Sequence, residues 1–140
     1  MFKAQTEWNK PEEFPDLREC TQIAIDLETH DPDLKSMGSG AVVGRGKVVG
    51  IAVATDGYSG YFPFDHKGGG NLEKAKVLKW FTDICKSNAD KIFHNAMYDV
   101  CWIRSMGIKI NGRIYDTMIA ASLVNENRFR FDLGSLGWDY

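Results

Sequence analysis

Few cysteines, few prolines and no long apolar run mark this 140-residue sequence, and each shortage removes a class of protein. The three cysteines, Cys20, Cys85 and Cys101, stand far apart with no CxxC spacing, which argues against a zinc site or a disulfide frame and for reduced thiols. No stretch approaches the ~18 consecutive apolar residues of a membrane helix. The opening MFKAQTEWNKPEEF also lacks the apolar centre of a signal peptide, so a cytoplasmic setting without membrane contact is expected. An excess of one charge sign is missing too. With 17 Lys+Arg against 19 Asp+Glu the net charge is −2, so no global basic field holds a nucleic acid non-specifically. A nucleic-acid partner needs another handle, and an acidic cluster loaded with divalent cations is one. The histidines His30, His66 and His94 form no HxxxH pair and no Cys/His cluster, and they read as loop or core residues.

What is present suffices for one packed domain: apolar residues make up 44% and aromatics 12%. Residues 1–20 are polar and hold Pro11 and Pro15, which suits an extended lead-in anchored by Trp8, Phe14 and Leu17. The domain proper is expected over residues 21–140. In Thr21–Thr29 the apolar Ile23, Ile25 and Leu27 alternate with Ala24, Asp26 and Glu28, the period of a half-buried strand. The glycine-rich stretch from His30 to Arg45 reads as a long surface loop without regular structure. It does not precede a helix as a dinucleotide fingerprint must. Lys47–Thr55 and Tyr58–Phe64 read as strands around an Asp56-Gly57 turn.

Asn71–Lys86 carries Leu72, Ala75, Leu78, Phe81 and Ile84/Cys85 at helical spacing, with Asn71 as its cap. A short strand at Lys91–Phe93, a helix from Asn95 to Gly107, a strand near Arg113–Tyr115 and a helix capped by Asp116 follow. A further helix starts at Leu133. Trp80, Phe81 and Trp102 read as core, and Arg128 and Arg130 as either a solvated turn or a phosphate patch. The order β-β-β-α-β-α-β-α predicts an α/β fold: a ribonuclease H-like mixed sheet, three antiparallel strands then βα crossovers, flanked by helices.

Two constellations carry chemistry. Asp26 and Glu28 point the same way from one strand, roughly 6.5–7 Å apart, and can share a hard cation such as Mg2+ or Mn2+. An isolated D-x-E is also what an ordinary solvated strand face looks like. In His94-Asn95-Ala96-Met97-Tyr98-Asp99, Asn95 and Asp99 share one face of a helix's first turn, where an acid also complements the helix dipole. A strand D-x-E followed by a helix N-x-x-Y-D is much rarer by chance than either alone.

IDLET resembles the first motif of the DnaQ-like 3′-5′ exonucleases, and HNAMYD resembles the second. Over nearly the whole chain, from EFPDL through YFPFDH and YDTMIAASLVNENR to DLGSLGWDY, the sequence is similar to the proofreading domain of phage-type family A DNA polymerases. The resemblance implies Asp26, Glu28 and Asp99 as catalytic metal ligands for two Mg2+ or Mn2+ ions. It places Thr29 beside the terminal nucleotide, Asn95 at the substrate end and Leu34 as a wedge against the terminal base. A single-stranded DNA 3′ end is the implied partner, and a polymerase domain is expected to follow in the same polypeptide.

The family's third motif, Tyr-x-x-x-Asp, belongs after YDTMIAASL, and the sequence ends before it. A domain truncated at its C-terminus, impaired in catalysis and apolar at its exposed Leu133–Trp138 end is therefore expected. Tyr61 and Asp65 fit the Tyr-x-x-x-Asp spacing but precede the second motif, and we read that match as coincidence. Two rivals stand beside the proofreading reading: a stand-alone RNase D-like exoribonuclease and a non-catalytic nucleic-acid-binding fragment of the same fold.

Overall fold

Alternation of Ile23, Ile25 and Leu27 with polar residues produces strand β1 (Gln22–His30), which buries those three side chains and exposes Asp26 and Glu28 on its other face. The computed structural model describes residues 9–138, so Trp8 falls outside the described residues. After β1 come two single-turn helices, α1 (Leu34–Met37) and α2 (Gly40–Val43). Strands β2 (Lys47–Thr55) and β3 (Tyr58–Pro63) form an antiparallel hairpin in which Thr55 faces Tyr58 and Gly57 takes a φ of 76°. Helix α3 (Lys74–Lys86), β4 (Asp90–Phe93), α4 (Ala96–Ser105), β5 (Ile114–Asp116), α5 (Thr117–Val124) and α6 (Leu133–Leu136) complete the chain.

The five strands make one sheet in the order β3-β2-β1-β4-β5, antiparallel across β3, β2 and β1 and parallel across β1, β4 and β5. Helical crossovers join the parallel strands, as such connections require. One face of the sheet packs Ile23, Ile25 and Leu27 with Val77, Phe81 and Ile84 of α3 and Trp102 and Ile103 of α4. The opposite face carries small residues, Ala24, Ala52 and Ala54, and forms the floor of an open depression of about 810 Å³ with Asp26 on its lining.

Residues 9–20 hold no helix or strand. Phe14 lies 5.7 Å from Phe62 and 5.6 Å from Trp80, centroid to centroid, Leu17 is buried, and Trp80 Nε1 donates to Pro15 O at 2.7 Å. The three cysteines are free. Lys91, wholly buried in β4, satisfies its ammonium by donating to Ser87 O and Ala89 O, each at 2.7 Å, which closes the C-terminal end of α3.

Three local expectations are corrected. The stretch after β1 is not irregular, since α1 and α2 fold within it. Asn71 does not cap α3. It clamps the preceding loop, accepting from His66 N at 2.8 Å and donating to His66 O at 2.9 Å, and α3 starts three residues later without a side-chain cap. The buried stripe of α3 is Val77, Phe81, Ile84 and Cys85, while Ala75 is exposed in the unburied first turn.

Candidate active site

Strand β1 outruns its parallel neighbour. It pairs with β4 over Gln22–Ala24 and continues alone on that side, leaving the Leu27 N–H facing a crevice beyond the carboxyl end of β4. Helix α4 begins two residues after β4 and therefore projects its first turn into the same crevice. Open α/β sheets place their ligands in this position. Asp99, in that first turn and only 3% exposed, reaches across and accepts a hydrogen bond from Leu27 N at 3.1 Å.

Burial pushes the Asp99 carboxyl up to about 7. The Leu27 hydrogen bond opposes the rise, and the negative charges of Asp26 and, more weakly, Asp116 add to it. Asp26 and Asp99 thus share a negative field, although they come from opposite faces of β1 and from elements 73 residues apart, counting 99 minus 26.

Glu28 stands nearer the β3 side, where its charge, after burial, raises the Tyr61 phenol. That ring lies across Gly50, where an added Cβ would sit 2.1 Å from the Tyr61 hydroxyl, and the hydroxyl is hydrogen-bonded to His66 Nε2. Asp65 is engaged elsewhere, with Lys47 at 2.5 Å and Lys74 at 3.0 Å. Tyr61 and Asp65 thus belong to a loop clamp around β3. Between Glu28 and Thr29 the β1–β2 register slips, and β-bulges of this kind re-aim side chains next to sites. Thr29 Oγ1 then meets the Tyr98 hydroxyl of α4 at 2.8 Å.

Asn95 occupies the cap position of α4 with a left-handed backbone (φ 66°, ψ 57°), but its side chain makes no capping hydrogen bond. Asp116 performs that task. Its carboxylate accepts from Asn95 N (3.1 Å) and Ala96 N (2.8 Å) of α4 and from Met118 N (2.9 Å) and Ile119 N (3.4 Å) of α5. Burial raises this carboxyl, yet the four N–H donors outweigh it and hold it below its usual range. His94 ties the same corner, bonded to Thr117 Oγ1 at 2.9 Å and to Phe131 O at 2.8 Å. Leu34 opens α1 and is 43% exposed, on a helix that buries none of its residues. Arg128 holds its own loop by donating to Arg130 O and Ser135 O.

The structure therefore brings Asp26 and Asp99 into one field, with Thr29 and Asn95 at the margins of the crevice and Glu28 toward β3. Among the described residues no three His, Cys, Asp or Glu side chains converge as a metal-holding group. Two carboxylates whose charges repel across β1 nevertheless suit Mg2+, which is commonly held by one or two carboxylates plus water and substrate phosphates. Local sequence reading missed Tyr98 and the second role of Asp116. Tyr98 sits inside HNAMYD and carried a signal, whereas the Asp116–α4 contact is tertiary and carried none.

Two solved structures share the fold. Brucella melitensis NrnC with bound Mg2+ matches 86% of this chain and 53% of its own at 20% identity and a TM-score of 0.58. The POL domain of Pol1 from M. smegmatis, in complex with DNA primer-template and dNTP, matches 88% of this chain and 19% of its own at 16% identity and a TM-score of 0.61. The fold is that of the ribonuclease H-like exonucleases. A family model described as 3′-5′ exonuclease matches residues 9–137, and the chain belongs to the 3′-5′ exonuclease domain family of family A DNA polymerases.

A DNA-directed DNA polymerase of Pseudomonas phage M6 is 35% identical over 130 residues, covering 86% of this chain and 19% of that protein. DNA polymerase I of Borreliella burgdorferi is 29% identical over 112 residues, covering 79% of this chain and 11% of that protein. The chain thus spans less than a fifth of the length of either relative. Among the described residues no helix is long and apolar enough to cross a membrane.

Proposed function

We propose that this domain hydrolyses phosphodiester bonds one nucleotide at a time from a single-stranded DNA 3′ end, as the proofreading part of a DNA polymerase. The observation that carries the reading is Asp99, buried in the first turn of α4 and set against Asp26 in the crevice beyond β4. Asp26, Glu28 and Asp99 are the proposed holders of the metal. Mg2+ or Mn2+ ions, two in the complete domain, would supply activation of water and charge stabilisation at the scissile phosphate.

The protein's own contribution is position. Leu27 N fixes the Asp99 carboxylate, Asp116 fixes the turn that bears it, and the bulge after Glu28 presents Thr29 to the terminal nucleotide. Asn95, exposed at the start of α4, and Leu34, exposed on α1, are the proposed contacts for the substrate end and the terminal base.

A 5′-labelled single-stranded DNA tests this. With Mg2+ or Mn2+ it should shorten stepwise from its 3′ end, more slowly with residues 1–140 alone than with a polypeptide that continues beyond Tyr140, and not at all with EDTA or Asp26→Ala. Matched RNA should be cut more slowly, and a preference for RNA would turn the assignment to an exoribonuclease. Cleavage undiminished by Asp26→Ala, or no cleavage by either polypeptide, would refute the reading.

A further inference from the structure

Tyr61 shares a sheet face with the two acids of β1 but belongs to neither of their motifs. The register sets Asp26 opposite Ala52 and Ala52 opposite Tyr61, while Glu28 stands opposite Gly50. From its own position the Tyr61 ring leans diagonally across Gly50, so that a Cβ there would overlap the Tyr61 hydroxyl and Cζ. Gly50 is buried inside β2, where the strand backbone does not call for glycine and the space for this ring does. Side chains directly opposite across antiparallel strands have their Cβ atoms about 4.5–5.5 Å apart. The Tyr61 hydroxyl, in the place of a Gly50 side chain, is therefore within one side-chain length of the Glu28 carboxylate. The nearness is also felt as charge, since Glu28, after burial, raises the phenol.

The hydroxyl is held from its other side. It is hydrogen-bonded to His66 Nε2, with the two rings edge to face and their centroids 6.0 Å apart. His66 is itself fixed by Asn71, which accepts from its N–H at 2.8 Å and donates to its carbonyl at 2.9 Å. A phenol has one proton, so two arrangements are open to it beside an imidazole nitrogen. If Tyr61 donates to Nε2, its oxygen turns only lone pairs toward Glu28. If Nε2 carries the proton and donates to Tyr61, the phenol proton can turn to the carboxylate, and charge-assisted bonds of that kind are the stronger ones. A neighbouring carboxylate selects the second arrangement.

We propose that Tyr61 is a positioning residue of the site: oriented by His66, its hydroxyl donates to the Glu28 carboxylate and fixes the rotamer in which Glu28 receives a divalent cation. This rests on Glu28 as a metal holder in the exonuclease reading. Hydrogen-bond partners of ligating carboxylates set their orientation and so their affinity. Tyr61 thus serves the site, though not in the role that its Tyr-x-x-x-Asp spacing resembles, because Asp65 is committed to Lys47 and Lys74.

The test measures Mn2+ affinity by calorimetry without DNA, beside the urea midpoint in EDTA. Tyr61→Phe keeps the ring and removes the hydroxyl, and it should weaken Mn2+ binding by about tenfold with the midpoint unchanged. Gly50→Ala, which forces the ring aside, should weaken binding to a similar degree. His66→Ala should do the same, whereas His66→Gln, whose amide nitrogen can donate from the place of Nε2, should restore most of the affinity.

A loss of affinity that comes only with a lowered midpoint, or His66→Gln binding as poorly as His66→Ala, would mark a structural role and overturn the proposal. Affinity unmoved by Tyr61→Phe but lowered by Glu28→Gln overturns it too, while the exonuclease reading stands. Wild type that binds no Mn2+, or binding indifferent to Glu28→Gln, removes Glu28 as a metal holder and this inference with it.

Discussion

The carboxyl of Asp99 is held in a state that the folded chain resists and a cation would relieve. Its ordinary value of 3.8 rises to about 7 in the fold, through burial first and the charge of Asp26 next. A group raised in this way binds its proton more tightly in the native state. Its contribution to stability is complete below about pH 4 and is lost as pH rises through about 7. In EDTA, urea denaturation should show the domain less stable at pH 8 than at pH 5, with the Asp99 share of order 2–4 kcal/mol. Asp99→Asn should flatten that slope and raise stability at pH 8 while abolishing Mg2+-dependent cleavage. Adding Mg2+ to the wild type should recover stability at pH 8 but little at pH 5, where the proton competes for the same oxygens. A slope unchanged by Asp99→Asn would remove this residue as its source.

At the scale of elements, one carboxylate, Asp116, starts two helices. It takes the N–H groups of Asn95 and Ala96 at the start of α4 and two from α5, so its loss uncaps both. A single cap is worth about 0.5–2 kcal/mol, and Asp116→Ala should cost about 2–3 kcal/mol, read as a lower urea midpoint with unchanged m. Asp116→Asn, which keeps an acceptor oxygen, should cost less. Because α4 carries Asp99, Asp116→Ala should also weaken Mg2+ binding measured by calorimetry, and an unchanged affinity would separate the cap from the site.

This corner also marks how far the sequence was legible. Strand β1 and its exposed acids follow from alternation alone, and the β2–β3 hairpin follows from Asp56-Gly57, because both signals are local. The capping of α4 was misread because Asn95 is a good local cap, whereas the acceptor that prevails lies 21 residues on, from 95 to 116. Helices α1 and α2 escaped for a similar reason. Each is one turn long, too short for periodicity, and α2 is pinned by the Asp31 side chain from outside its own sequence.

For the whole molecule, two surface properties bear on the proposed grip on DNA. Large apolar side chains of the C-terminal quarter are exposed, among them Ile119, Leu123, Phe129, Leu133 and Trp138, while Leu136 is buried. These offer contact without charge. The cations are balanced by the 19 acids, and many are paired: Arg18 with Asp16, Arg45 with Asp33, Lys47 and Lys74 with Asp65, and Arg113 with Asp90. With no net positive charge over the molecule few phosphate contacts are expected, and each phosphate contact on a single strand contributes about −0.7 to the slope of log affinity against log salt. In EDTA a short single-stranded oligonucleotide should bind weakly, with a slope shallower than about −2 in fluorescence anisotropy. Ca2+, a hard cation that takes carboxylate oxygens, should tighten binding for wild type but not for Asp26→Ala. A slope near −4 in EDTA would mean that basic side chains, rather than carboxylate-held cations, grip the strand.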